Sequence, residues 1–201
     1  MPARLPAPER RAAVLDCACR VFSRGSYHGT TTAEIARAAG VTEPILYRHF
    51  ESKRDLYLAC LDETWAELRA LWDDAVAAEP DAANWVRAMA QAFFRSEKNR
   101  AVISNLWVQA LSEAGLDDEL RRYMRRHMRE VHAYVAAVIE RAQTEGGVLA
   151  DRDPRAEAWL FISVGLLKMI SARLGGLVED DFPAIIASRR RWLTGRDLAE
   201  S

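Results

Sequence analysis

Between Thr30 and Lys53 the chain reads TTTAEIARAAGVTEPILYRHFESK, and its polar side chains are of the kinds that hold phosphates and nucleobase edges. Thr31 and Glu34 have the spacing of a capping box, in which the Thr31 hydroxyl accepts from the Glu34 backbone N–H and the Glu34 carboxylate reaches back. This leaves Thr32 at the first helical position with its hydroxyl free. A hydroxyl beside exposed backbone N–H groups, at the positive end of a helix dipole, suits a phosphate. The threonines would equally serve only to start the helix. Tyr47, Arg48 and His49 follow on the next expected helix, and Lys53 opens the one after. Arginine can fork onto guanine in a major groove, while tyrosine and histidine have the reach for phosphate.

The elements that must position these groups follow from spacing. A short helix is expected over about Thr32 to Ala39, with Ile35 and Ala36 turned inward. Gly40 can take the left-handed conformation that reverses the chain, and Val41 can bury behind it. Thr42 caps a third helix over about Glu43 to Phe50, where Pro44 is tolerated because the first turn has no intrahelical N–H to lose. Ile45, Leu46 and Phe50 form its inner stripe and leave Glu43, Pro44, Tyr47, Arg48 and His49 outward. Ser52 caps the fourth helix. Two short amphipathic helices joined by a glycine-containing turn have helix-turn-helix geometry. Thr31, Thr32 and Thr42 then grip one backbone strand while Tyr47, Arg48 and His49 enter or flank the groove.

Helical periodicity fills the rest of the chain and no strand alternation occurs. The first helix carries Val14, Cys17, Ala18, Val21 and Phe22 at i, i+3, i+4, i+7 and i+8. The long fourth carries Leu58, Leu61, Trp65, Leu68 and Trp72 up to the break at Pro80-Asp81. A fifth is expected over about 82–96, a sixth over about 101–114, and a seventh from Asp117-Asp118 to Gly146. Asp153-Pro154 opens the eighth, and Phe182-Pro183 the ninth. The expectation is an all-α chain of about nine helices. Its domains are a three-helix helix-turn-helix domain, residues 1–55, and a helical ligand-binding and dimerisation bundle, residues 56–201.

Charge supports this division. The 201 residues hold 28 Lys+Arg against 29 Asp+Glu, yet residues 1–55 hold 9 basic and 6 acidic side chains. A basic head on an acidic body points to a polyanion as the head's partner. The odd count of three cysteines, Cys17, Cys19 and Cys60, lacks metal spacing and reads as small reduced apolar residues. MPARLPAPER has no apolar core of a secretory signal. The run from Trp159 to Leu167 is far short of the roughly 18 residues of a membrane span, so a cytoplasmic protein with no membrane partner is expected. No HExxH, CxxC, phosphate-cradling glycine loop or Gly-x-Ser-x-Gly occurs, and His127 and His132 miss the i, i+4 spacing of a shared face. Neither an enzyme, a metal site nor a cofactor is expected.

In the body, most large apolar residues must be core. Trp65, Met89, Phe93 and Trp107 are candidates for the lining of an apolar pocket, with Gln109, Tyr123 and His127 as its polar groups. The run Arg121-Arg122-Tyr123-Met124-Arg125-Arg126-His127 reads as a solvated helix face paired with acids such as Glu119 and Glu130, or as a site for an anionic ligand. The eighth helix is apolar nearly all round and must be covered on both sides. Phe161, Leu166 and Ile170, with Ile185, Ile186 and Trp192 of the ninth, are expected to meet a twofold-related copy.

The segment from about Arg11 to Leu61 resembles the DNA-binding domain of the TetR (tetracycline repressor) family. The resemblance rests on Phe22, Tyr27, Thr31-Thr32-x-x-Ile35-Ala36-x-x-Ala39-Gly40-Val41, Leu46-Tyr47-x-His49-Phe50 and Ser52-Lys53. Ser26 stands where the family usually has glycine, and Gly25 lies one residue earlier. The resemblance implies a homodimeric repressor that leaves double-stranded DNA when a small molecule enters the body. It implies phosphate contacts from Thr32, Tyr47, His49 and Lys53, and base contacts from Glu43, Pro44, Ile45 and Arg48. Ala33 occupies a position that is arginine in some members. Glu43 either accepts from a cytosine amino group or pairs with Arg48 or a neighbour. A twofold dimer implies an inverted-repeat operator, and an apolar or amphipathic effector fits the body. The rival reading is a helical protein-interaction adaptor, with no affinity for duplex DNA.

Overall fold

The computed structural model describes residues 6–196, without the side chains of residues 97–99. The first five residues, part of the stretch read above for a secretory core, lie outside it. Among the described residues there are nine α-helices, one 3-10 turn and no strand: α1 Ala7–Arg24, α2 Thr32–Ala38, α3 Glu43–Leu46, α4 Lys53–Ala78, α5 Trp85–Arg95, α6 Glu97–Glu113, α7 Asp118–Thr144, α8 Pro154–Arg173 and α9 Phe182–Thr194. The expected all-α architecture holds. The 3-10 turn, Ala82–Asn84, occupies the first residues of the expected fifth helix.

Start signals set the helix ends. The Asp153 carboxylate accepts from the N–H groups of Arg155 and Ala156 at 2.8 and 3.3 Å and caps α8. Ser52 Oγ accepts from the Asp55 N–H at 3.0 Å and opens α4. The main difference from expectation is α3, four residues long instead of eight. Beyond Leu46 the bonding tightens, with Arg48 N–H donating to Ile45 O and His49 N–H to Leu46 O, before Phe50 N–H returns to Leu46 O. The side chains keep their placement: Leu46 and Phe50 are buried, while Ile45 is only half-buried.

The chain forms two compact units. The first comprises residues 6–70 and 96–121, the second 71–95 and 122–196. In the first, α1 packs on both α2 and α6. Its core gathers Val14, Ala18 and Phe22 of α1, Ile35 of α2, Leu46 of α3, Leu56 and Leu61 of α4, and Ile103 and Leu106 of α6. Because α1 is covered on two sides, Cys17 and Cys19 both bury although they lie only two residues apart; with Cys60 they are free thiols. The second unit builds its core from Trp72, Met89, Phe93, Met124, Val135, Ile139 and Ile162.

The turn between α2 and α3 depends on Gly40, at φ +66°. Left-handed backbone there lets Gly40 N–H bond Arg37 O at 3.1 Å and Val41 N–H bond Ala36 O at 2.9 Å, closing the helix end. A Cβ would meet nothing within 4 Å, so the cost of a side chain is torsional, not steric. Gly40→Ala is therefore expected to fold and to lose about 1–2 kcal/mol of stability, measured by denaturant unfolding.

Candidate nucleic-acid interface

The expected capping box at the head of α2 is present. Thr31 Oγ1 accepts from the Glu34 N–H at 3.2 Å, and Glu34 Oε2 accepts from the Thr31 N–H at 2.8 Å and from its hydroxyl at 3.0 Å. These bonds from the Thr31 backbone and hydroxyl hold the Glu34 carboxyl below the usual carboxylate range.

Thr32 departs from expectation, because its hydroxyl is not free. It donates to Glu43 Oε1 at 2.6 Å and accepts from the Tyr47 hydroxyl at 3.1 Å. The chain Tyr47–Thr32–Glu43 ties the first turn of α2 to both ends of α3. Glu43 thus has a neighbour as its partner, Thr32. Thr42 also differs: it occupies the capping position of α3, but its hydroxyl makes no cap bond. Thr42 and Pro44 are exposed.

Tyr47 is 46% exposed and Arg48 is exposed, whereas His49 is half-buried. Tyr47 and Arg48 directly follow Leu46, which is fully buried, so the inward residue aims the outward pair. The Lys53 ammonium lies 4.5 Å from the centroid of the Tyr27 ring, a cation–π contact that places a cation at the start of α4. The Arg11 guanidinium lies 4.8 Å from the centroid of Phe50. The elements α2, α3 and the head of α4 therefore present hydroxyls, the exposed Arg37 and Arg48, and a positioned lysine.

Two further contacts hold this face on its scaffold. Glu113 Oε1 accepts from the Tyr27 N–H at 3.1 Å, and the Gln109 amide donates to Gly25 O. Gln109, expected among the polar groups of a pocket, is bonded to the α1–α2 loop. That loop needs Gly25 where it stands, because a Cβ there would lie 2.9 Å from Thr30 Oγ1. Ser26 closes the following turn, its hydroxyl accepting from the Gly29 N–H at 3.0 Å. At the head of α4, Arg54 makes a two-pronged ion pair with Asp117 and donates to Glu119 at 2.9 Å. Between these contacts, Tyr57 is buried and its hydroxyl has no hydrogen-bond partner among the described residues. Burial, then the nearby Glu113 charge, pushes that phenol far up. None of these contacts was expected, since their partners lie 63 to 86 residues apart and no local pattern marks them.

The remaining expected pocket residues fall in both units. Trp65 and Trp107 belong to the first, Met89, Phe93, Tyr123 and His127 to the second. Met89, Phe93, Trp107 and His127 are buried. Tyr123 stacks on His127 with centroids 5.8 Å apart, and Phe93 meets Phe94 edge-on at 5.2 Å. Of the expected dimer-contact residues, Ile170 is 48% and Trp192 51% exposed; Leu166, Ile185 and Ile186 are half-buried. Phe161 is half-buried and meets Trp72 of its own chain edge-on at 5.6 Å. Trp192 is steadied by the Arg152 guanidinium 3.7 Å from its centroid and by Glu157, which accepts from its indole N–H at 2.8 Å. Trp159, Leu160 and Leu174 are exposed apolar residues of the same region that the sequence reading left out of the contact. Among the described residues, no group of His, Cys, Asp or Glu could hold a metal ion, and no helix is long and apolar enough to cross a membrane.

Comparison with known proteins gives two family matches. Residues 14–60 match bacterial regulatory proteins of the tetR family, and residues 82–164 match the C-terminal domain of BetI-type transcriptional repressors. The transcriptional activator FasR of Mycolicibacterium smegmatis is 42% identical over 91 residues, covering 45% of this chain and 42% of FasR. The transcriptional regulator BetI of Rhizobium meliloti is 35% identical over 120 residues, covering 58% of each chain. This chain thus spans about half the length of these curated relatives. In fold, it superposes on a TetR-family regulator from Cytophaga hutchinsonii with a TM-score of 0.81, at 15% identity, covering 98% of this chain and 100% of that one.

The ion pair at the head of α4 gives a pH test. Arg54 holds the Asp117 carboxyl well below its usual range, helped by the Leu120 N–H. A depressed carboxyl contributes stability that is present above the unfolded value of about 3.9 and is lost as pH falls through the folded value. Asp117→Asn is therefore expected to melt below the parent chain at pH 7, with the gap closing in strong acid. A gap independent of pH would show that the carboxylate charge contributes nothing.

Proposed function

We propose that this chain, matched over residues 14–60 by tetR-family bacterial regulatory proteins and over 82–164 by the BetI-type repressor C-terminal domain, is a tetR-family, ligand-responsive DNA-binding transcriptional regulator, a repressor released from an inverted-repeat operator by an apolar or amphipathic small molecule. The family is one of regulators, not enzymes. The observation that carries the reading is α3: Tyr47 and Arg48 face outward from the buried Leu46, with Lys53 one turn of chain further on. In this reading residues 1–55 contact DNA and residues 56–201 hold the effector and the dimer contact. Arg48, Pro44 and Ile45 address base edges, while Thr31, Thr32, Thr42, Tyr47, His49 and Lys53 address phosphates. Glu43 keeps Thr32 and Tyr47 in register; a carboxylate on this face also repels phosphate, so it disfavours indiscriminate binding. The site of action is where the operator is, in the cytoplasm.

The repressor assignment is supported by the C-terminal match, whose description names a repressor. The effector is placed among the apolar residues of the body, with Tyr123 and His127 as polar groups. It acts only through differential affinity for the DNA-bound and free shapes, so effector and operator must weaken each other equally. The test of the whole reading is selection of bound duplex from a random pool, which should return an inverted repeat. Against that operator, Arg48→Ala is expected to relax sequence preference, by about 1–3 kcal/mol at one position. Lys53→Ala should weaken all sequences alike and lower the salt slope by about one. Equal affinity for every duplex in the wild-type chain would sink the operator; no duplex affinity at all would favour the adaptor.

The dimer is proposed through α8 and α9, which present Trp159, Leu160, Ile170, Leu174 and Trp192 as exposed apolar groups. Apolar patches of this kind mark association surfaces. The chain is expected to sediment as a dimer at micromolar concentration, and Ile170→Asp to sediment as a monomer that keeps its helical circular dichroism.

A further inference from the structure

The basic run on α7 divides into two groups with different surroundings. Arg121 is engaged: it donates to Ala114 O at 3.0 Å and to Gly115 O at 3.1 Å, and pairs with Asp118 at 2.8 Å. Arg122, Arg125, Arg126 and Arg129 are all exposed, and no ion pair is made by any of them among the described residues. At 3.6 residues per turn their spacing puts all four within an arc of about 100°. The opposite face carries Leu120, Met124, His127 and Val131, all buried. The stripe is thus the outward pole of a helix whose inner side is core.

The acids that could neutralise it are used elsewhere or stand apart. Asp118 pairs with Arg121, and Glu119 accepts from Arg54 at 2.9 Å. Glu130, at the edge of the stripe, pairs with none of the four. Arg126 alone has a local contact, its guanidinium 5.8 Å from the centroid of the Tyr123 ring. Like charges three and four residues apart on a helix repel, and each of the four arginines has two such neighbours among the others. The face is solvent-exposed as expected, but among the described residues the expected pairing of these arginines with Glu119 and Glu130 is absent.

We propose that Arg122, Arg125, Arg126 and Arg129 form a second cationic surface of this protein, which holds the phosphate backbone of duplex DNA without reading its sequence. Charge and shape select the partner. The stripe runs from Arg122 to Arg129, about 10 Å of helix, which matches about three base-pair steps of axial rise at about 3.4 Å each. A row of guanidiniums on the convex outer side of a helix addresses an extended polyanion; enclosing a small phosphate ligand needs a concave site. The surface is independent of the helix-turn-helix face and does not require an operator.

The experiment compares the full chain with the variant R122Q/R125Q/R126Q/R129Q on a short duplex lacking operator sequence, titrated against salt. The same four changes are also made in a chain already carrying Arg48→Ala and Lys53→Ala. Each lost phosphate contact removes about 0.9 from the slope of log K against log salt, so the slope should fall by about 2–4 in both backgrounds. The operator preference of the otherwise unchanged chain should stay as it was. A fourfold lysine variant, which keeps the charge, should restore the slope. Unchanged slopes, with circular dichroism showing a folded chain, overturn the proposal. So does a glutamine variant that loses binding of inorganic triphosphate while its duplex slope is intact, which would assign the stripe to a small phosphate ligand. Failure of the operator reading looks different: no sequence is preferred by the parent chain, yet the slope difference persists.

Discussion

A helix of four residues cannot hold itself in water. Nucleation fixes several backbone dihedrals for one hydrogen bond, and helices under about 12 residues are marginal alone. The whole helix-turn-helix face therefore depends on the burial of Leu46 and Phe50, the two side chains that seat α3 on the core of the first unit. Their seating fixes the direction in which Tyr47 and Arg48 point. The Tyr47–Thr32–Glu43 hydrogen-bond chain adds a second restraint, along the outer side, where water competes. Burial sets the orientation and the polar chain refines it; the order cannot be reversed, since solvent-facing hydrogen bonds contribute only about 0.5–1.5 kcal/mol each.

The same unit is held at its back by polar contacts from one helix corner. Gln109 and Glu113 lie one turn apart on α6 and bond the loop at Gly25 and Tyr27; Asp117 and Glu119 follow and hold Arg54. These residues touch both ends of the segment that frames the helix-turn-helix: the loop before α2 and the first turn of α4. A displacement of the α6–α7 corner must break these bonds or carry the framed segment with it. An ion pair whose side chains are about a third exposed adds little net stability in water. Its geometric consequence is larger than its energetic one, because it fixes where the first turn of α4 lies beside Lys53.

What was legible in the sequence is what local chemistry decides. Thr31 and Glu34 announce a capping box because three-residue spacing alone makes the two bonds possible. Gly40 marks the turn because only glycine takes φ +66° without strain, and Asp153-Pro154 marks the head of α8 for similar reasons. The length of α3 was not legible, since Glu43 to Phe50 has acceptable helical spacing throughout and only the tightened bonding at Arg48 and His49 ends it early. The partners of Thr32, Gln109 and Arg54 were hidden for another reason. They are set by which helices pack together, and in sequence Gln109 looks like any amide on an amphipathic helix. Pocket residues suffer most: a buried Trp107 or Met89 satisfies the core and a ligand site equally, because both demand apolar surface removed from water.

A chain with net charge −1 has no long-range pull on DNA, so any affinity for a polyanion must come from where the cations sit. They are concentrated in two places of different character. On the helix-turn-helix the exposed Arg37 and Arg48 stand among hydroxyls, with a carboxylate, Glu43, tied to Thr32 and Tyr47. Few charges and many directional groups favour discrimination over strength, because each direct contact must match a particular base edge or phosphate. On α7 the composition is reversed: four arginines, no directional partner, and acids engaged elsewhere. Such a row gains affinity through counterion release and gains no sequence information. The repulsion among those arginines is weakest when a polyanion lies across them, so the face has its lowest electrostatic cost when occupied.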